Sequence, residues 1–190
     1  EIGIQQAEFE VASYGAAIAS VETTLPAAEQ VLAAIRINPM MMKDYSGNQI
    51  LSSFIGDWSK SKTQSVTNII QQGFYQGKTT AEITRELRGT KSAKYSDGVM
   101  AKINRANKTI VRTAVQHASS QARTLTMKQN ADIIKGYRWV STLDFNTSDQ
   151  CQHLDGEEFE VGKGQLPPIH PNCRSTTVPV LDDRFADMDE

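Results

Sequence analysis

The sequence predicts an α+β protein, a predominantly helical body followed by a small, loop-rich C-terminal β module. Three observations carry this reading. Apolar residues recur at helical steps as far as Asn130, a β-prone run of Ile, Tyr, Trp and Val follows Ile133, and Gly and Pro crowd the residues after Phe145. The expected division is a helical body over 1–132, a Cys/His-containing β module over 133–181 and an acidic tail over 182–190.

The elements follow in order. Ile2, Phe9, Ala12, Ala16 and Ala19 recur at helical spacing, which predicts a helix from Ile2 to Ser20. A second, shorter helix is expected over Ala27 to Ile35, where Thr24 and Pro26 supply a start signal. Pro39 and the Gly47-Asn48 pair interrupt the chain, and the Met40-Met41-Met42 run between them reads either as a buried connector or as an adaptable surface for a partner. Ile50, Leu51, Phe54 and Ile55 then form a short apolar face, and Val66, Ile69, Ile70 and Phe74 mark a longer helix ending near Gly77. Thr79 with Glu82 has capping-box spacing, so a helix from about Thr80 to Leu87 follows, closed by Gly89. The longest helix is expected from Val99 to about Asn130, with a stripe of Ile103, Ala106, Ile110, Ala114, Ala118, Ala122 and Leu125 that allows a neighbouring helix to approach closely. Strands are predicted over Tyr137 to Leu143, Glu158 to Val161 and Thr176 to Leu181.

The chain of 190 residues carries 20 Lys and Arg against 22 Asp and Glu, a net charge of -2, which argues against a surface built wholly for nucleic acid. No apolar run approaches the roughly 18 to 20 residues of a membrane-spanning helix, and no signal-peptide pattern is present. Glu1 in place of an initiating Met implies a processed or shortened product. Charge is nevertheless uneven. Between Lys78 and Arg112 there are nine basic residues and three acidic ones, a pattern that fits either a solvated helix face or contact with phosphates or an acidic partner. Arg88, Lys102, Arg105, Lys108 and Arg112 are the candidate nucleic-acid-binding residues. The last nine residues carry five acids, which predicts a disordered tail.

Only two Cys and three His occur in the chain, yet Cys151, His153, His170 and Cys173 share one window. Two thiolates and two imidazoles suit a tetrahedral Zn²⁺, and a small module gains folding free energy from such a staple. A Cys151–Cys173 disulfide in an extracellular particle and a pair of free buried thiols are the competing readings. Zinc deaminases pair His-x-Glu with Pro-Cys-x-x-Cys, and here Leu154 and Asp155 follow His153 while Cys173 has no second paired Cys, so that match fails. A thiol nucleophile activated by His170 is chemically conceivable, but no oxyanion site accompanies it, and the chain is read as a non-enzyme. His117, on the long helix, reads as structural. Asp144 and the Thr147-Ser148-Asp149 run supply capping oxygens, Asp155-Gly156 signals a tight turn, and Arg174 is placed to clamp Asp144 or Asp149, with phosphate binding as its alternative.

The run Trp139-Val140-Ser141-Thr142-Leu143-Asp144, then Thr147-Ser148-Asp149-x-Cys151, Leu154-Asp155-Gly156 and Pro167-Pro168-x-His170-Pro171-Asn172-Cys173-Arg174, resembles the C-terminal signature of the phage Mu F-like minor head, or head morphogenesis, proteins. Upstream, Ile110-Val111-Arg112-Thr113 resembles the family helix leading into this module, with Ala114 where the family commonly carries an acid. His153 has no counterpart in the family pattern, so the resemblance favours Cys151, His170 and Cys173. It extends over about residues 100 to 180. The resemblance implies a minor virion component of a tailed bacteriophage, present in several copies at the portal and head interior after assembly in the host cytoplasm. Its partners would be the portal, other head proteins and DNA, and its role head morphogenesis or genome delivery. An ejected DNA-binding or nucleic-acid-processing effector is the alternative.

Overall fold

The computed structural model describes residues 1–17, 22–41 and 48–185. Helices run α1 (Ile2–Ala17), α2 (Ala28–Ile37), α3 (Leu51–Tyr75), α4 (Thr80–Arg88), α5 (Val99–Gln129) and α6 (Asp149–Leu154), with strands β1 (Ile134–Val140), β2 (Glu158–Glu160) and β3 (Thr176–Leu181). The architecture is α+β. The end of the first expected helix at Ala19 and Ser20, Met42, Gly47 and the last five residues of the acidic tail lie outside the described residues.

The chain divides into two compact units, residues 1–51 with 113–190 and residues 52–112. In the smaller unit, the two apolar stretches read from the sequence as a short face and a later helix belong to one helix, α3. No proline interrupts it, and Gly56 alone does not break a helix of this length. Thr79 caps α4 as its spacing predicts: the Glu82 amide donates to Thr79 Oγ1 at 3.3 Å and the Thr79 amide donates to Glu82 Oε2 at 2.7 Å. Gly73 lets α4 approach α3, since a Cβ there would stand 2.5 Å from Ile83 Cγ1.

The larger unit packs the antiparallel sheet, ordered β2-β1-β3, against α1 and the end of α5. Tyr137 pairs with Phe159 on one side and Pro179 on the other. Gly136 is required at the β1–β2 contact, where a Cβ would meet the Phe159 carbonyl oxygen at 2.6 Å. Tyr14 of α1 joins Met127, Ile133, Ile134 and Tyr137 in one buried cluster, and Ala7, Val31 and Ala122 form another where α1, α2 and α5 meet. Burial pushes the Tyr137 phenol up to about 12, and its hydroxyl donates toward the carbonyls of Lys163 and Gln165, holding the loop after β2. Asn130, 1% exposed, accepts from the Thr24 amide at 2.7 Å and donates to the Thr24 carbonyl at 2.9 Å, tying the start of the chain to the end of α5.

The α5 stripe differs from expectation. Of its seven residues only Ala122 is fully buried, and the buried face runs instead through Thr113, His117, Ser120, Thr124 and Met127. Thr124 Oγ1 donates back to the Ser120 carbonyl and Thr126 Oγ1 to the Ala122 carbonyl, so these hydroxyls are buried with partners and lose little by leaving water. His117 lies 3.1 Å from the Ile35 carbonyl, and burial holds its pKa down against that contact.

Candidate metal centre

The site is assembled on the central strand, β1, and on α6 and the loop before β3 that follow it. Trp139, fully buried on β1, forms its floor together with Ile169. The Trp139 indole donates to Ser141 Oγ at 2.9 Å, and Ser141 Oγ donates to the Cys151 carbonyl at 2.7 Å. Ser148 begins α6 as its N-cap and accepts from the Cys151 amide at 3.3 Å, which turns Cys151 inward over the Trp139 floor. His170 and Cys173 come from the loop before β3, where the Cys173 amide donates to the His170 carbonyl and Asn172 takes a φ of 58°. That loop is pinned to α5 at two points: the Asn172 amide donates to Thr113 Oγ1 at 3.1 Å, and Gln116 Nε2 donates to the Ser175 carbonyl at 2.6 Å.

Cys151, His170 and Cys173 each present a ligand atom within 4.8 Å of the other two, the one such group of three among the described residues. Cys151 Sγ is 3.2 Å from His170 Nε2 and 3.8 Å from Cys173 Sγ, and both cysteines are free, buried thiols. His170 Nδ1 lies 2.9 Å from the Pro171 carbonyl oxygen, which can only accept, so Nδ1 carries a proton and Nε2 faces the sulfurs. A hydrogen bond from Cys173 pulls the Cys151 thiol far below its ordinary value despite burial, and His170, Ser148 and Ser175 add to this. The same contact, with burial, pushes Cys173 up. Two sulfurs and a ring nitrogen thus converge on shared protons. A soft divalent cation can replace those protons, and the donor set of two thiolates and one imidazole is the one Zn²⁺ favours.

His153 stands apart from this group. It lies two residues beyond Cys151 on α6, about 200° around the helix, and is exposed. In its place the structure brings in Ser148, whose Oγ is 2.9 Å from His170 Nε2. The sequence signal for Ser148 was its three-residue spacing to Cys151, which puts both on one face of a helical turn.

The remaining motif residues hold the frame. Arg174 clamps Asp144 through both guanidinium nitrogens, at 2.6 Å from NH1 to Oδ2 and with NH2 to Oδ1, while Asp144 Oδ1 also accepts from the Asn146 amide at 2.9 Å. Asp149 occupies the first turn of α6, Asp155 Oδ1 accepts from the Ser141 amide at 2.6 Å, and Gly156, at a φ of 83°, donates to the Trp139 carbonyl. Arg174 first, and then the Asn146 amide, hold the Asp144 carboxyl well below the usual carboxylate range. Such a group stabilises the folded state above its unfolded pKa, and that contribution fades only as pH falls through the depressed folded value. Amide exchange in residues 142–147 is therefore expected to stay unchanged from neutral pH down to about 5 beyond the intrinsic pH dependence, given the ordinary Asp value of about 3.9. In Asp144→Asn the same amides exchange faster at every pH in that range. Equal exchange in the two proteins would show that the clamp does not hold the loop.

Arg88, Lys102, Arg105, Lys108 and Arg112 all lie exposed in the smaller unit. Arg88 stacks over the Tyr95 ring at 4.3 Å, and the four α5 residues, spaced by three, three and four, share one side of the helix.

A family model described as phage Mu protein F like protein matches residues 64–178, a span that takes in α5, β1 and the whole Cys151–His170–Cys173 group. Among curated proteins, the chain is similar to NAD(+)--arginine ADP-ribosyltransferase EFV of Enterococcus faecalis (strain ATCC 700802 / V583), at 27% identity over 166 residues. The alignment takes in 76% of this chain and 33% of that relative, so the chain spans about a third of the relative's length. No solved structure matches the chain.

Proposed function

We propose, since this chain belongs to the phage Mu protein F-like family, that it is a minor head protein of a tailed bacteriophage, carried in the virion at the portal and head interior. On this reading it acts in head morphogenesis or genome delivery, in several copies, and binds the portal and other head proteins after assembly in the host cytoplasm. The observation that carries the reading is the extent of the family match, which runs from the middle of α3 to the first residues of β3 and includes Cys151, His170 and Cys173. The C-terminal module then serves as a rigid docking unit, stapled by Zn²⁺ on Cys151, His170 and Cys173. The role is structural rather than catalytic. The activity named for the Enterococcus relative is not carried over, since the chain spans about a third of that relative's length. No described helix is long and apolar enough to cross a membrane.

Sedimentation of the full chain with its portal assembly, with and without DNA, tests this reading. Co-migration with the portal in the absence of DNA is expected, with about one zinc per chain, as a single cluster of three donors implies. Migration with DNA alone would overturn the head-protein reading.

A second reading, an ejected DNA-binding effector, draws on the exposed basic side of α5. If Lys102, Arg105 and Lys108 each neutralise a phosphate, reversing all three to Glu lowers the salt dependence of DNA affinity by about 0.9 log units per lost contact. A salt slope unchanged in the triple variant would remove this reading and leave the basic stripe as a solvated face.

A further inference from the structure

We infer that the ion at Cys151, His170 and Cys173 keeps its fourth coordination position open to water, with Ser148 as the residue that positions that water. This rests on the metal-centre reading above and goes beyond it, since it makes the centre a three-ligand site that accepts small anions rather than a closed staple. Zn²⁺ takes four donors, and the described residues bring three ligand side chains together. One side of the group is filled by Trp139 and Ile169, both fully buried. On another side lies the hollow lined by Asn146, Thr147, Ser148, Asn172, Arg174 and Ser175, which also touches Cys151 and His170 and has room for one water.

That wall is built of hydroxyls, amides and one guanidinium, the groups that hold a water or an anion. Ser148 stands at the junction. Its oxygen already accepts from the Cys151 amide, and its hydroxyl lies 2.9 Å from His170 Nε2. An ion on the Nε2 lone pair would take that acceptor from the Ser148 hydroxyl, leaving the Cys151 sulfur and a water in the hollow as its acceptors. A neutral serine hydroxyl is not among the usual zinc donors, which are thiolates, imidazoles and carboxylates, so Ser148 orients the fourth ligand instead of supplying it. Arg174, held by Asp144, adds a cation at the rim that favours an anion in the same place.

The full chain loaded with Co²⁺ under anaerobic conditions and titrated with azide tests this directly. The visible cobalt bands are expected to shift saturably with azide while cobalt content stays constant. Ser148→Cys should supply a third thiolate, raise the thiolate-to-cobalt absorption about 1.5-fold and abolish the azide response. Retention of cobalt with no azide response in the native chain would overturn the open position and leave the staple standing. Failure to retain cobalt or zinc at all would overturn both readings. The azide titration of the native chain decides the matter even where Ser148→Cys does not fold.

Discussion

Cys173→Ser and Cys151→Ser should each yield a chain that no longer retains stoichiometric Zn²⁺, in which amide exchange rises across residues 144–179 while α3 and α4 keep their protection. The reason is the way the window is held. Between β1 and β3 the chain contributes one six-residue helix, a three-residue strand and loops, with few backbone ladders of their own. The two cysteines sit 22 positions apart in sequence and 3.8 Å apart in space, so one ion closes a long loop. Structural zinc supplies about 10–16 kcal/mol in peptides whose whole fold depends on it. Here Trp139 and Ile169 provide an apolar floor and Thr113 and Gln116 pin the loop, so part of the order survives metal loss. A destabilisation beyond about 4 kcal/mol is expected, in the range reserved for lost metals and buried charges. Chelation of the native protein should reproduce the exchange pattern, whereas a reductant should leave it unchanged, because the thiols carry no bond for it to break. Unchanged protection after metal removal would mean that the Trp139 floor alone holds the module.

Much of this site could be read from local spacing, and what could not depends on contacts distant in sequence. The clustering of Cys151, His170 and Cys173 was visible because Cys and His are scarce elsewhere, and a clamp from Arg174 to Asp144 or Asp149 was expected from the sequence, of which the structure forms the one to Asp144. His153 was misleading for a helical reason. The segment reads as turn-rich, but Ser148 caps a single short helix, and within it a residue two steps from Cys151 points away while one three steps before it points the same way. Strand β2 announced itself through Phe159 and Val161 between Gly156 and Gly162, and β3 through Thr176, Thr177, Val178 and Val180, despite Pro179 within it. The buried face of α5 did not, because Thr113, His117, Ser120 and Thr124 look polar in sequence; Thr113, His117 and Thr124 are made tolerable by bonds to the loop that carries Cys173 and to helix carbonyls, while the small Ser120 hydroxyl is buried without a hydrogen-bond partner among the described residues. Nor could the sequence show that residues 1–51 and 113–190 form one unit, since the contact between Tyr14 and the β1 cluster spans more than a hundred positions.

That long-range join rests on a buried ion pair, and breaking it is the second change expected to have a large effect. Arg123 Nε donates to Glu10 Oε1 at 2.6 Å, its NH1 reaches Thr176 Oγ1, and the Tyr14 hydroxyl donates to Glu10 Oε2 at 3.1 Å. Burial first, and then the Glu10 charge, push the Tyr14 phenol upward, so it remains a donor across the accessible pH range. One guanidinium on α5 thereby connects α1 to the first residue of β3. Arg123→Ala leaves Glu10, 4% exposed, as an uncompensated buried charge, a loss of about 3–5 kcal/mol. The melting temperature should fall by roughly 10–20 °C for a unit of this size. Replacing both partners, Arg123→Met with Glu10→Leu, should recover most of that loss, because a well-packed apolar pair removes the stranded charge. Zinc content should stay stoichiometric in Arg123→Ala at temperatures below its transition, since Cys151, His170 and Cys173 are held by Ser148, Thr113 and Gln116 rather than by Arg123. If Arg123→Ala lost its metal at a temperature where α1 and α5 remained protected, the ion pair would be part of the metal centre's support, and the larger unit would have to be understood as one cooperative structure from Glu10 to Thr176.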